Sequence, residues 1–335
     1  MKNSLISVVM PVKNTAQYIE DCLNSILNQT HTKWELLAVD DHSTDNSLEI
    51  LASYADKDRR IKVFKNKGKG IIDALRLSYS KSSGDLITRM DSDDLMAEDK
   101  LTILSSNLIN RGRGHLAVGL VKYFSDNELG EGFKNYELWL NGLTAFGSNF
   151  KEIYKECVIP SPCWMVHRED LETSGSFRPN RYPEDYDLTF RFYLNGLKVI
   201  ACDEVLHHWR DYPSRTSRTH AHYADNSFME IKVHYFLKKE YDTNKNLVVW
   251  GAGGKGKALA QLLIDKNIDF YWICDNPKKI GNEIYGKVIL AFKELDRIEH
   301  TQSIITVANP LSKIEIKHYF EQRSDEQGVD YFFFC

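Results

Sequence analysis

Four largely aliphatic runs, Leu5–Met10, Trp34–Val39, Ile61–Phe64 and Leu86–Met90, alternate with segments of helical period in the first hundred residues. After the first run, Ile19, Cys22, Leu23, Ile26 and Leu27 recur at i, i+3, i+4, i+7 and i+8, which is one stripe of a helix. Helices are likewise predicted from about Ser47, burying Leu48, Leu51 and Tyr54, and over Ile71–Ser80. Continuous apolar strands separated by helices predict a parallel, doubly wound α/β sheet, because such strands are covered on both faces. Ligands of such sheets gather outside the carboxyl ends of the strands. Pro11, Asp41 and the segment Asp91–Asp94 all stand at those ends, so one site could collect them.

The fourth run closes on three carboxylates in four residues, Asp91, Asp93 and Asp94. Such charges repel one another unless they meet a cation or hydrogen-bond donors. Hard divalent ions such as Mg²⁺ or Mn²⁺ take oxygen ligands and bridge one or two carboxylates to substrate phosphates. The competing reading is an acidic turn in which Asp caps a helix beginning near Met96. A calcium EF-hand loop does not fit, since Met96 and Thr102 occupy the positions that need Gly and Glu.

The chain has 335 residues, enough for two domains at about 100–200 residues each. A content of 42% hydrophobic and 27% charged residues describes a globular protein with real cores. The net charge of −4 and the lack of an aromatic-interleaved basic motif predict no nucleic-acid partner. Cys22, Cys157, Cys163, Cys202, Cys274 and Cys335 show no CxxC or metal spacing, so free thiols in a reducing compartment are expected. The N-terminal apolar run ends at Pro11, Lys13 and Asn14 without a cleavage site, and reads as a strand rather than a signal peptide. No stretch approaches the ~18 apolar residues of a membrane span. The expectation is a cytoplasmic protein, or one peripheral on the cytoplasmic face of a membrane.

Past Asn110 the rhythm weakens. Leu116–Phe124 reads as a strand, residues 125–160 show no clean period, and Glu184–Leu194 reads as a helix with Gly196 as its C-cap. Asp203–Arg218 reads as a polar, His- and Arg-rich loop, followed by a helix from about Asp225 to Lys239. The polar run Tyr241–Asn246 sets the expected boundary between a domain of residues 1–240 and one of residues 246–335. The second domain repeats a βα pattern: LVVWGAGGKGKALAQLL, DFYWICDN and SIITVANP. Gly251, Gly253 and Gly256 form G-x-G-x-x-G between strand and helix, and Asp275 ends the next strand. That context suits a diphosphate at the helix N-terminus, or equally a Rossmann-like turn that merely needs small residues.

Six segments, in order, resemble the family 2 glycosyltransferases of GT-A fold: Ile6–Asn14, VDDHSTDNS (39–47), KGKGIIDAL (67–75), ITRMDSDDL (87–95), PEDYDLTFRFYLNG (183–196) and HHWRDYPSRTSR (207–218). The resemblance spans residues 4 to about 240. It implies inverting transfer of a sugar from a nucleotide-diphosphate donor, a UDP-sugar by expectation, to a hydroxyl of a surface glycan or lipid-linked glycan, with Mg²⁺ or Mn²⁺. It makes Asp91 and Asp93 the DxD pair around Ser92, with Asp93 on the metal and Asp91 on the ribose or in the metal's shell. Asp41 would meet the base, with Pro11 and Val12 as the pocket wall. Arg89 would answer the site's negative charge or a phosphate, or pair with Asp85 or Asp91. Glu184-Asp185 matches the ED motif, with Asp185 as general base and Glu184 orienting it or the acceptor. Arg191 would reach the diphosphate or form an exposed ion pair. Arg210 and Arg215 would hold the diphosphate, and His208 would be a third metal ligand. The chain departs from the family pattern at His42, where Gly is usual, at Lys13, where an aromatic is common, and at Ser161-Pro162-Cys163-Trp164, on the acceptor side.

The C-terminal segment is similar to the small nucleotide-sugar-binding domain of sugar-nucleotide acyltransferases, without their β-helix. An alternative reading centres on it: a nucleotide-sugar-modifying or NAD-dependent enzyme. No Tyr-Lys or His-Asp catalytic set is visible there.

Overall fold

The computed structural model describes residues 4–126, 128–215, 218 and 228–335. They form two compact units, residues 1–150 with 157–223, and residues 151–156 with 224–335. The run Tyr241–Asn246, expected as the boundary, therefore lies inside the second unit, and the helix before it (α8, Met229–Lys239) belongs there too. Its apolar residues Val233, Tyr235 and Phe236 are buried, and Phe236 packs on Phe332 and Phe334 of the same unit. The beginning expected for this helix, Asp225–Ser227, lies outside the described residues.

The first unit starts with β1 (Ile6–Val12), α1 (Ile19–Leu27), β2 (Trp34–Asp40), α2 (Ser47–Ala55), β3 (Ile61–Lys65), α3 (Ile71–Ser80) and β4 (Leu86–Arg89). These strands lie parallel in the order β3-β2-β1-β4. Every residue of β2 and β4 is buried, as continuous apolar strands between helical layers must be. On α1 the predicted stripe faces inward, with Ile19, Cys22, Leu23 and Ile26 fully buried. The register sets Val12 beside Asp40 and Val9 beside both Leu37 and Arg89, so these strands end at one level.

Beyond β4 the strand directions become mixed. The strand β7 (Trp164–His167) runs antiparallel to β4, with Thr88 opposite Met165. Its first residue, Trp164, thereby reaches the same edge as Asp91. Then come β6 (His115–Phe124), β8 (Lys198–Arg210) and the two-residue β5 (Leu95–Met96).

The segment 203–210, expected as a loop, is the second half of β8. Leu206, His207 and Trp209 are buried, and register shifts at Gly119–Val121 absorb the exposed run Asp203-Glu204-Val205. A strand with a bulge breaks the period that sequence reasoning looks for. Residues 125–160 also hold a helix, α5 (Glu131–Ala145), whose amphipathic signal is weak because few of its side chains are fully buried.

The helix after the acidic run, α4 (Lys100–Arg111), starts at Lys100 rather than near Met96, and Asp99 occupies its cap position. Asp94 is not a cap. It lies before β5, fully buried. After the short α6 (Arg168–Thr173), the helix α7 (Glu184–Leu194) matches its predicted span, and Gly196 takes φ +70 just beyond it.

The second unit carries β9 (Asn246–Trp250), α9 (Gly254–Asp265), β10 (Tyr271–Cys274), β11 (Glu283–Ile284), β12 (Lys287–Ala291), β13 (Thr301–Ile305), α10 (Pro310–Gln322) and β14 (Tyr331–Phe333). Its sheet runs β11-β12-β10-β9-β13-β14, parallel except for β11. Val248, Trp250, Ile273, Ile305, Phe320 and Tyr331 belong to its core.

Candidate active site

The carboxyl ends of β1, β2 and β4 and the start of α7 bring most of the predicted residues of the first unit into one region. Asp41, just past β2, is 3% exposed. Its carboxylate accepts from Asn66 Nδ2 at 2.7 Å, from the Gly70 amide at 3.0 Å and from Lys13 Nζ at 3.3 Å. Lys13 thus stands over the buried acid where an aromatic is common in the family. His42 takes φ +59, a left-handed conformation that Gly adopts without penalty, and its ring holds the carbonyl of Gly68 at 2.9 Å. The departure at His42 therefore keeps the backbone shape that Gly would supply. Pro11 and Val12 end β1 beside Asp40, with Val12 buried.

Arg89 is buried and joins two motifs: Nε lies 2.9 Å from Asp91 Oδ1, and Nη1 lies 3.0 Å from Glu184 Oε1. Of the partners expected for it, Asp91 is correct, Asp85 is not among those found, and Glu184 was not anticipated. Asp93 accepts from Tyr212 Oη at 2.8 Å, and its backbone carbonyl accepts from Arg210 Nε at 2.9 Å. Burial, then the charges of Asp94 and Asp91, push the Asp93 carboxyl up to about 7. Ser92 is buried, its Oγ accepting from Thr15 at 3.1 Å.

Asp94 ties the acidic turn to β8. It accepts from the Arg210 amide at 2.8 Å and lies 3.0 Å from His207 Nε2, and His207 Nδ1 lies 3.1 Å from the buried ammonium of Lys100. Burial drives His207 well below the usual imidazole range, so it is neutral. Successive residues of a strand face opposite sides, so His208 cannot share this position. His208 instead pairs with Leu95 and packs edge-on against Phe124. These contacts give His208, expected as a third metal ligand, a packing role on the other face of the strand. Among the described residues no three His, Cys, Asp or Glu side chains converge as a metal cage.

The arginines divide. The guanidinium of Arg210 reaches Asp21 at 3.1 Å and stacks over Tyr18 and Phe124, each 4.7 Å from the ring centre. Arg215 faces the acidic turn: burial opposes its charge, but Asp94 and Asp93 more than offset this and raise its pKa. Arg191 bonds Asp187 at 2.8 Å, the carbonyl of Ser176 at 2.7 Å and that of Ser174. With 12% of its side chain exposed it braces these groups, and its ion pair is not an exposed one. Thr216 and Ser217, at the end of the last predicted motif, lie outside the described residues.

Asp185 opens on a small pocket shared with Arg89, Glu184, Trp164 and Ser161. Burial and the neighbouring charge of Glu184 push its carboxyl up to about 7. Glu184 Oε2 and Ser161 Oγ, both buried here, have no hydrogen-bond partner among the described residues. Ser161 and Tyr212 escaped prediction as site residues. The departure from the family pattern at Ser161 is a visible signal, and Tyr212 lies inside the segment HHWRDYPSRTSR.

A divalent cation fits this donor set. Two carboxylates, Asp91 and Asp93, stand at the turn and offer the oxygen donors that a hard divalent ion takes. In the second unit, Gly251 takes φ +119, and a Cβ on Gly256 would lie 2.0 Å from Gly251's carbonyl. Gly253 has open space above it, and Asp275 is exposed after β10.

An open α/β sheet with an acidic turn at its switch edge defines a class of ligand-binding enzyme scaffold. The family model for glycosyl transferase family 2 matches residues 7–175, and the chain belongs to that family. It is a glycosyltransferase. It is 28% identical over 249 residues to glycosyltransferase GlyG of Streptococcus pneumoniae, covering 72% of this chain and 81% of that protein. An uncharacterized glycosyltransferase of Haemophilus influenzae is 43% identical over 102 residues, 30% of this chain and 41% of the relative. Among solved structures, S. aureus TarS 1–349 in complex with UDP-GlcNAc superposes with a TM-score of 0.54 at 20% identity, covering 77% of this chain and 71% of that one. Mannosyltransferase PcManGT from Pyrobaculum calidifontis, in complex with GDP-Man and Mn²⁺, gives 0.50 at 18% identity over 70% of this chain and 63% of its own. These likenesses establish the fold.

Proposed function

We propose that the first unit transfers a sugar, with inversion at its anomeric carbon, from a nucleotide-diphosphate donor to a hydroxyl of a surface glycan or lipid-linked glycan. The observation that carries this is Arg89, which binds Asp91 of the acidic turn and Glu184 of the ED pair at once. It holds the donor-side carboxylates and the base-side carboxylates at one mouth. Structures of the same fold with UDP, UDP-GlcNAc and GDP-Man support a nucleotide-sugar donor, and a UDP-sugar is the one favoured here.

Asp91 and Asp93 would hold Mg²⁺ or Mn²⁺, which supplies Lewis-acid stabilisation of the leaving diphosphate. Arg215 adds a positive charge beside the same carboxylates. Asp41, Lys13, Pro11 and Val12 form the donor's base-side wall. Asp185 accepts the proton of the attacking hydroxyl, and its raised pKa keeps it a competent base near neutrality. Glu184, anchored by Arg89, fixes the start of α7 and leaves Oε2 free for the acceptor, with Trp164 and Ser161 on the pocket wall. The transfer chemistry is assigned to the first unit, and the second unit is an accessory module. Among the described residues no helix is long and apolar enough to cross a membrane. A cytoplasmic enzyme, peripheral at the membrane's inner face, accords with a lipid-linked acceptor.

Incubation with UDP-, GDP- and dTDP-sugars, with Mn²⁺ and with chelator, tests this. Nucleotide release that requires the metal, and a product of inverted anomeric configuration by NMR, are expected. Release from none of the donors, or release unaffected by chelator, overturns the reading in its metal-dependent form.

A further inference from the structure

The second unit places lysines where its sheet changes direction. From β9 the chain moves to β10 on one side and later returns to β13 on the other. Open α/β sheets bind ligands in the crevice outside the strand ends at such a reversal. Both strands bordering it lead into helices whose first turns carry lysine, Lys255 in α9 and Lys313 in α10.

A third lysine, Lys232 of α8, is 1% exposed. Its ammonium donates to the carbonyls of Lys155 at 2.9 Å and Phe334 at 3.2 Å, which leaves one of its three hydrogens without a partner among the described residues. Lys155 is itself paired with Glu152. The lysines sense one another. Burial, opposed by Glu156 and Cys335 and reinforced by Lys255 and Lys313, lowers Lys232 to about 8. Burial likewise lowers Lys313, with Lys155 and Lys255 adding to the effect against Cys335 and Glu152. Glu156 and Cys335 supply part of the countercharge, and the third hydrogen of this buried ammonium, beside Lys255 and Lys313, is left for an anion to take.

The glycine turn is shaped for the same purpose. Trp272 Nε1 takes the Gly251 carbonyl at 2.8 Å, and Lys279 Nζ takes that of Ala252 at 2.7 Å. Gly253, at the cap position of α9, is exposed, has nothing within 4 Å of a Cβ site and receives no side-chain cap. The turn's carbonyls are thus occupied, while the first amides of α9 stay open.

We propose that this crevice binds the phosphoryl group of a phosphorylated small molecule, held by Lys255, Lys313, the buried Lys232 and the first-turn amides of α9. It is a second ligand site, independent of the transfer site and of whether transfer occurs as proposed above.

Calorimetry of the full chain in chelator, with inorganic pyrophosphate and separately with inorganic phosphate, tests it. Wild type is expected to bind at one site, and Lys255→Gln and Lys313→Gln each to weaken binding about tenfold or more. Asp93→Asn is expected to bind as wild type does, which separates this site from the first unit. Tighter binding of pyrophosphate than of phosphate identifies a diphosphate ligand, and equal binding a single phosphoryl group. No binding by wild type, binding unchanged in both folded lysine variants, or binding lost in Asp93→Asn overturns the proposal. Circular dichroism confirms that each variant is folded.

Discussion

Arg89 and Glu184 stand 95 positions apart in the chain, yet their side chains meet at 3.0 Å with 6% and 8% of their surface exposed. The same guanidinium holds Asp91 at 2.9 Å. Removing the arginine would leave two carboxylates facing each other with no charge between them. Arg89→Ala is expected to lower stability by about 3–5 kcal/mol, the usual consequence of breaking a buried pair. Lys cannot fork to both acids, so Arg89→Lys is expected to restore only part of this. Urea melts of the two variants check the order.

Asp185→Asn is expected to keep donor affinity and lose about 10²–10⁴-fold in turnover, the usual general-base contribution. The base works only when deprotonated, and its pKa is raised to about 7. In wild type kcat should therefore fall about tenfold per pH unit below that value and level off above it. A flat kcat profile from acid to neutral pH, or near-normal transfer by Asp185→Asn, would place the base elsewhere.

Asp93→Asn removes a charge from the acidic turn but keeps the shape of the side chain. Metal-dependent binding of UDP should disappear by calorimetry while the far-ultraviolet circular dichroism stays native. Unchanged affinity in the presence of Mn²⁺ would remove Asp93 from the metal's shell.

The two neighbouring histidines should behave oppositely. His207→Ala deletes the hydrogen-bonded link between Asp94 and Lys100 in a fully buried place, and a loss of about 1–3 kcal/mol is expected from the groups left unsatisfied. His208→Ala, on the other face of β8, should change stability by about 1 kcal/mol or less and leave Mn²⁺-dependent donor binding intact. Thermal denaturation and calorimetry on both variants decide the matter.

In the second unit Gly256→Ala would set a Cβ 2.0 Å from the carbonyl of Gly251, and a loss of about 1–3 kcal/mol is expected from overpacking. Gly253→Ala meets no atom within 4 Å and should leave stability nearly unchanged. Equal effects of the two substitutions would mean that the turn relaxes differently from its packing here.

The sequence alone determined the parallel half of the first sheet, because four aliphatic strands with helical stripes between them can be buried only in that way. It also marked Asp41, Asp91 and Asp93 by their place at strand ends, while Glu184 and Asp185 stood out only through the resemblance to the family. It located the glycine turn at Gly251–Gly256 because φ, close approach and strand-to-helix order are properties of neighbouring residues.

Contacts between distant segments could not be read this way. That Arg89 reaches Glu184, that Asp94 anchors β8 rather than capping a helix, and that Arg191 braces the carbonyls of Ser174 and Ser176 all follow from packing. The choice of His207 over His208 depended on the register of β8 against β5, since a shift of one residue would reverse which ring meets the acids. That register is set by burial of whole strands, and no local pattern of residues contains it.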